Sequence, residues 1–356
     1  MCRSCVARGY ETVLVVADSK GAETVDGVSI IDVGLPVGRL YRIANTTRQI
    51  YKQALLLNAD LFHLHDPELL PIGLRLKKLG YKVIFDSHED VPAQLLNKDY
   101  LPPIVCGLIP KYYKLYESWA CHKLDGVIAA TPFIRAKFLS TGINAQDVAN
   151  FPILDEFSPA TDWESKKNEV CYVGSIGRVR GIEQMCDAMQ HVETSSFLNL
   201  VGQFDDSELH ETMRKKTGWQ RVYELGLLSR SEVRCVLGRS VAGIVTLNPI
   251  SNYLDALPIK MFEYMSAGIP VIASDFPLWR QIIEGNDCGV LVDPMKPMDI
   301  ANAIDSLLLD RDLAKRLGSN GRSAVESKYN WTTQERKLFN FYESILCETP
   351  VVRGTL

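Results

Sequence analysis

The stretch EVCYVGSIGRVRGIEQM, residues 169–185, reads as an apolar strand, a glycine-rich turn and the start of a helix at about Ile182. Gly174, Ser175, Gly177, Arg180 and Gly181 make the turn. Glycines there let a backbone approach a ligand closely, and a helix N-terminus offers free N–H groups to an anion. Arg178 and Arg180 add cationic charge suited to a diphosphate. An ordinary strand-to-helix turn with solvated arginines would carry the same residues. The spacing is GxxGxxxG rather than GxGxxG, and no acidic residue follows at the offset of an NAD ribose ligand.

Outward from this stretch, short apolar runs alternate with amphipathic segments over nearly the whole chain. Strands are expected at residues 12–18, 28–34, 61–66, 82–88 and 126–132 in the first half. In the second half SFLNLVGQ, AGIVTLN, PVIASD and GVLVDP repeat the pattern, each leading into a helical segment. Between the first strands, Ile43, Thr47, Ile50, Ala54 and Leu57 fall on one helical face. Strands alternating with helices imply parallel sheets covered on both sides. Around residues 157–168 the sequence FSPATDWESKKN is polar and aperiodic, as a linker is. Two doubly wound domains in tandem are expected: 1–156 and 169–330, followed by a closing helix over 331–350. Its apolar stripe of Trp331, Leu338, Tyr342 and Leu346 is suited to packing on the first domain.

The chain's 356 residues suit two domains. A net charge of -4 speaks against a general nucleic-acid binder. No run approaches about 20 consecutive apolar residues, so no membrane-spanning helix is expected. The opening MCRSCVARGYE lacks the apolar core of a signal peptide. Cysteines such as Cys171, Cys186 and Cys235 sit in apolar surroundings, as core thiols do. The lone pair Cys2 and Cys5 reads as one turn of helix rather than a metal or redox motif. A reducing cytoplasm is the expected compartment.

The most specific segment is NYLDALPIKMFEYMSAGIPVIASD, residues 252–275. Pro258 sits near a helix start, Lys260, Glu263 and Tyr264 occupy the first two turns, and Gly268 ends the helix. A carboxylate here can accept two hydrogen bonds from a ribose diol, and Lys260 can neutralise a phosphate. A surface Lys–Glu pair at i,i+3 is the plainer reading. The position favours a site, because open α/β sheets bind ligands at the C-terminal ends of their strands.

These two segments resemble retaining glycosyltransferases of family 4, in the branch that builds bacterial surface polysaccharides. HLHDPELLPIGLRLKKLGYKVIFDSHED (63–90), AATPFI (129–134) and NWTTQERKLFNFYESIL (330–346) extend the similarity over most of the chain. The resemblance implies a GT-B fold, two Rossmann-like domains facing a cleft, with a nucleotide-sugar donor in the C-terminal domain and an acceptor on the N-terminal one. It implies retention of anomeric configuration, no bound metal and no cofactor besides the nucleoside diphosphate sugar. Glu263 matches the second carboxylate of the family's Glu-x7-Glu motif, which holds the ribose. The first falls at Asp255, one methylene shorter. Arg180 matches the family's diphosphate lysine, Ser175 replaces its arginine, and Lys260 or Arg178 supplies the remaining charge. Backbone from Ala256 through Leu257 and Pro258 to Ile259 would cradle sugar and phosphate. Backbone near Gly226 and Leu228 would hold the base, and Gly174 and Gly181 would line the phosphates.

In the first half His88 matches the family's active-site histidine. His65 and Asp66 are expected to face the acceptor, whereas His63 is expected in the core. Glu89 and Asp90 either touch the acceptor or cap the next segment. Residues 101–124 mix apolar, aromatic and basic residues. Such a segment either lies at the inner face of a bilayer, where a lipid-linked saccharide acceptor would be met, or forms a plain surface helix. The first domain is expected to lack the opening strand and loop of its fold, as a truncated or mis-started chain would. A sugar-nucleotide epimerase and a non-catalytic nucleotide-binding remnant are the alternative functions.

Overall fold

The computed structural model describes residues 1–36, 38, 41–92, 103–157 and 162–347. Residues 101–102 of the amphipathic segment, 158–161 of the expected linker and 348–350 of the expected closing helix lie outside the described residues. The chain divides into two compact units: Met1–Ala149 with Gln334–Leu356, and Asn150–Thr333.

The second unit is built on six parallel strands: β8 (Glu169–Val173), β9 (Phe197–Val201), β10 (Val222–Gly226), β11 (Ala242–Val245), β12 (Val271–Ser274) and β13 (Gly289–Val292). Their order is β10-β9-β8-β11-β12-β13, so the winding reverses beside β8. A reversal of this kind leaves a crevice at the strands' C-terminal ends. Val170 of β8 pairs with both Leu198 and Ala242, which puts β8 at the centre. The helix Ile182–His191 buries Ile182, Met185, Cys186, Ala188 and Met189, one face at helical spacing. That face packs with Leu198, Leu200, Ile244 and Ile304 in one core. The helix Ile259–Ser266 lies against β11 at Gly243, where any Cβ would overlap the ring of Tyr264. Parts of the expected linker belong to this unit. Phe157 and Lys166 are buried, and the Lys166 ammonium donates to the carbonyls of Gly238 and Ser240 at 2.8 and 2.9 Å.

The first unit carries its strands in two sheets. β1 (Val13–Val16), β2 (Glu23–Val25) and β3 (Val28–Asp32) form one, in the order β1-β3-β2. β4 (Leu61–Leu64), β5 (Lys82–Ser87), β6 (Gly126–Ala129) and β7 (Ala145–Asp147) form the other, parallel and in sequence order. Among the described residues no strand joins the two: β1 pairs with β3 alone and β4 with β5 alone. The β2–β3 hairpin, which the apolar pattern does not announce, turns on Asp26 and Gly27, both at positive φ (52° and 80°). An Asp-Gly pair in that conformation closes a two-residue hairpin.

The closing helix Trp331–Cys347 joins this unit from Gln334 onward. Phe341 and Ile345 fill the space over Gly126, Tyr342 reaches His63, and Lys337 pairs with Asp147 at 2.5 Å. Cys2 and Cys5 lie on the helix Cys2–Ala7 as free thiols, and Cys171 and Cys186 are buried, but Cys235 is exposed. The helix Arg230–Arg239 turns its Val233, Val236 and Leu237 face to the core, which leaves Cys235 outside. Among the described residues no helix is long and apolar enough to cross a membrane.

Candidate functional site

The ends of β8, β9 and β10 surround a cavity of about 410 Å³, lined by Gly174, Ser175, Gly202, Phe204, Leu227 and Leu228 among others. Two glycines bring its walls together. Gly174 has φ 137° and Gly202 φ 143°, and a Cβ on Gly202 would overlap the carbonyl of Gly174. The loop is pinned by Tyr172, whose hydroxyl donates to the Ser175 carbonyl at 2.6 Å, and by Ser175, whose hydroxyl donates to Asp205 at 2.7 Å. Leu228, read from the sequence, lines this cavity. Gly226, at the end of β10, uses its carbonyl to accept from the Gly202 amide at 2.9 Å.

Lys260 and Glu263 lie on the first turns of the helix Ile259–Ser266, and Lys260 meets this loop at Gly174. Both are buried, at 8% and 5% exposure, so they are not a surface pair. The Lys260 ammonium sits 3.7 Å from the centre of the Tyr172 ring. A Cβ on Gly174 would stand 2.8 Å from the same nitrogen, so only glycine leaves room for it. Burial, reinforced by Arg180 and opposed by Glu263, lowers the Lys260 ammonium to about 7. The lysine is thus pushed toward its neutral form beneath the Gly174 turn. Tyr264 ties the helix to β8, its hydroxyl accepting from the Val173 amide at 3.0 Å.

The two arginines of the turn differ. Arg178 is exposed and paired with Glu183 at 2.6 Å. Arg180 stacks on Tyr253, 5.1 Å from the ring centre, and no carboxylate among the described residues pairs with it. Gly181, at φ 76°, presses the turn against the Thr246 carbonyl. Asp255 ends the short helix Ser251–Leu254 and is half-buried. The backbone after it is fixed by Trp279, whose indole N–H donates to the Ala256 carbonyl at 2.7 Å. Leu257 and Pro258 then lead into the helix, whose first two amides, of Ile259 and Lys260, have no i→i−4 partner within it.

Four groups here escape a reading of the sequence. Arg230 donates to Glu263 at 2.6 Å while stacking on Phe157. The only signal at Arg230 is the capping box of Ser229 and Glu232 that starts its helix. The side-chain oxygens of Thr246, Asn248 and Asn252 are buried without a hydrogen-bond partner, although buried polar atoms normally have one. They lie, like Asp255, on the segment between β11 and the helix Ile259–Ser266.

The first unit gathers a second group. His63 and His65 project from the end of β4, and Asp86 and His88 from the end of β5. His63 Nε2 lies 3.2 Å and His65 Nδ1 3.5 Å from Asp86 Oδ2. His65 Nδ1 is 3.2 Å from His88 Nε2, and the two rings stack. Burial and the neighbouring His63 lower His65 to about 4. His63 was expected as a core residue, and Asp86 has no role in the sequence reading. Their meeting arises from the parallel pairing of β4 with β5. The other acceptor-side candidates are engaged elsewhere. Asp66 pairs with Arg42 at 3.3 Å. Asp90 pairs with Lys137 at 3.0 Å, which also holds the buried Glu117 at 2.9 Å. The Glu89 carbonyl accepts from the Ser87 hydroxyl.

Residues 1–152 match the family Glycosyltransferase Family 4, and residues 155–324 match Glycosyl transferases group 1. Phosphatidyl-myo-inositol mannosyltransferase of Mycobacterium leprae is 30% identical over 296 residues, covering 80% of this chain and 74% of that protein. A GDP-mannose-dependent alpha-(1-6)-phosphatidylinositol monomannoside mannosyltransferase of Mycobacterium tuberculosis is 34% identical over 88 residues; the match spans 25% of this chain and 23% of that protein. Among solved structures, a sucrose-phosphate synthase from Thermosynechococcus elongatus superposes with a TM-score of 0.80 at 19% identity, over 98% of this chain and 92% of its own.

Proposed function

The chain belongs to glycosyltransferase family 4, and on that premise we propose that it moves a sugar from a nucleoside diphosphate sugar to a hydroxyl acceptor with retention. The observation that carries this reading is the buried Lys260 beneath Gly174, with Arg180 and Glu263 beside it. A buried ammonium near neutrality gains most from an anion brought into the same low-dielectric place. The diphosphate is therefore placed over Gly174, between the Lys260 and Arg180 charges. Negative charge developing on the leaving diphosphate is stabilised by these cations and by the amides of Leu257, Ile259 and Lys260, with no metal or other cofactor. Glu263 takes the ribose diol, and Arg230 moves off its carboxylate or shares it. The cavity ending at Leu228 takes the base, while Asp255 and the unpaired oxygens of Asn248 and Asn252 meet the sugar. His65 and His88 serve the acceptor side.

The acceptor is assigned to the saccharides or lipid-linked saccharides of bacterial surface polysaccharide assembly, at the inner face of the cell membrane. Supporting this, the helix Pro103–Cys121 exposes Ile109, Tyr112, Leu115 and Trp119 at helical spacing. Such a row can enter a bilayer surface.

A panel of nucleotide sugars, read by thermal shift and then by product formation with and without acceptor, tests the proposal. One donor should raise the melting temperature and be consumed only when an acceptor is present. Donor turnover to an isomer without acceptor would instead identify an epimerase. Stabilisation with no turnover under any acceptor would identify a nucleotide-binding remnant.

A further inference from the structure

We propose that His210 is a positioning residue for the donor's base, holding the Phe204 ring as a wall of the cavity at the ends of β8, β9 and β10. The inference rests on the reading that this cavity takes the base.

The backbone fixes the wall only in part. Past β9 the chain runs beside the Gly174 turn. The Ile176 amide donates to the Gln203 carbonyl at 3.0 Å, and the Asp205 amide donates to the Ile176 carbonyl at 3.0 Å. Phe204 lies between them, bridged to Ile176. The Gly202 amide donates to the Gly226 carbonyl at the end of β10, and the Asp205 carboxylate accepts from the Ser175 hydroxyl. These bonds place the Phe204 backbone but leave its side chain a choice of staggered rotamers. The ring lines the cavity and is half-buried, so core packing does not enclose it on every side.

His210 removes that freedom. It lies six residues on, in the helix Ser207–Arg214, whose start is capped by the Asp206 carboxylate accepting from the Glu208 amide at 2.9 Å. Its imidazole stacks on the Phe204 ring, with centroids 4.2 Å apart and planes 19° from parallel. Trp219 joins the cluster, 6.2 Å from the His210 ring and 6.1 Å from that of Phe204. Aromatic rings packed in this way attract one another beyond the area they bury.

The imidazole is held in its turn. Its Nε2 lies 2.8 Å from Oε1 of Glu224 on β10, and Arg214 reaches the other carboxylate oxygen at 3.2 Å. Burial pushes the Glu224 carboxyl up, but His210 and Arg214 outweigh it and hold the group below its ordinary value, so it stays anionic. His210 thereby links the loop after β9, which carries Phe204, to β10, which leads to Leu228. His210 itself is not part of the cavity lining, so its effect on a ligand passes through Phe204.

The test is a double-mutant cycle on the full chain, read by calorimetric titration with the tightest binder among UDP, GDP and ADP. His210→Ala should weaken binding by roughly three- to tenfold, the worth of one aromatic pair, with the fold unchanged by circular dichroism. His210→Phe, which restores a ring over Phe204, should recover most of the loss. Phe204→Ala should weaken binding at least as much, and adding His210→Ala to it should cost nothing further, because residues acting through one contact are not additive. The matching nucleoside should lose affinity by the same factor as the diphosphate. Unchanged affinity in His210→Ala while Phe204→Ala weakens binding, additive losses in the double variant, no recovery in His210→Phe, or a loss confined to the diphosphate would each overturn the role of His210. Phe204→Ala without effect would instead overturn the placement of the base in this cavity. A parent chain that binds none of the three nucleotides would overturn the donor reading and this inference with it.

Discussion

Each unit buries, among its several buried charged groups, one close to the C-terminal ends of a parallel sheet, and the two charges are opposite. In 150–333 it is the Lys260 ammonium, covered by Gly174 and Tyr172. In the first unit it is the Asp86 carboxylate, ringed by His63, His65 and His88. A buried charge is costly unless it is paired or met by a ligand of opposite sign. The contrast fits the proposed anion beside Lys260, whereas the charge on Asp86 already faces three imidazoles. It also separates how each charge is kept. Lys260 depends on a backbone turn that only glycine allows, whereas Asp86 depends on side chains that alternate along two strands.

The largest effect should come from Gly174→Ala. The residue sits at φ 137° and its new methyl would meet the Lys260 ammonium. Strain of this kind costs about 1–3 kcal/mol before the lysine is displaced, so the variant should melt lower and lose nucleotide binding together. Retained affinity would mean that Lys260 does not face the ligand. Arg180→Ala should cost roughly 1.5–3 kcal/mol in nucleoside diphosphate binding, the worth of a charge-assisted bond, and leave nucleoside binding alone. Equal losses for the two ligands would make Arg180 a packing residue. Glu263→Gln should act the opposite way, weakening nucleoside and nucleoside diphosphate alike, because the ribose is common to both.

Lys260→Met sharpens the comparison through pH. The folded lysine is lowered to about 7, against about 10.4 in an unfolded chain. Between these values the unfolded state holds the proton and the folded state does not, so stability of the parent rises with pH across that window. Below about 7 both states are protonated, and the full cost of burying the charge is present. Lys260→Met should therefore be more stable than the parent at pH 6, with the advantage shrinking toward pH 10, as thermal melts would record. A constant difference would mean that the lysine is not buried as a charge. The smallest effect is expected from Trp119→Ala. Stability should move by no more than about 0.5 kcal/mol, as at other exposed positions, while binding to anionic phospholipid vesicles falls. Unchanged vesicle binding would remove the membrane role from this helix.

What was legible in the sequence follows from how local each feature is. The strand 82–87 and the helix 182–191 announce themselves by apolar runs and by 3.6-residue spacing, and with their neighbours they identify the α/β class. The glycine turn at 174–181 and the LPIKMFEYM helix start are local patterns too. The β2 strand is three exposed residues, so hydrophobicity carries no sign of it, and only the Asp26-Gly27 pair does. Arg230 meets Glu263 across 33 residues and Asp86 meets His63 across a strand pair, distances at which sequence spacing says nothing. Cys235 shows the reverse failure: apolar neighbours in sequence do not bury a residue on the outer face of its helix.

The most direct test of the donor assignment is calorimetry of the tightest binder among UDP, GDP and ADP, near pH 8, in buffers of differing ionisation enthalpy. At that pH the free lysine is mostly neutral, and a diphosphate over Gly174 should draw it back to the ammonium. Binding should thus take up about one proton per site in the parent chain and none in Lys260→Met, which should also bind more weakly. Binding without proton uptake, at equal strength in parent and variant, would contradict the placement of the diphosphate on Lys260.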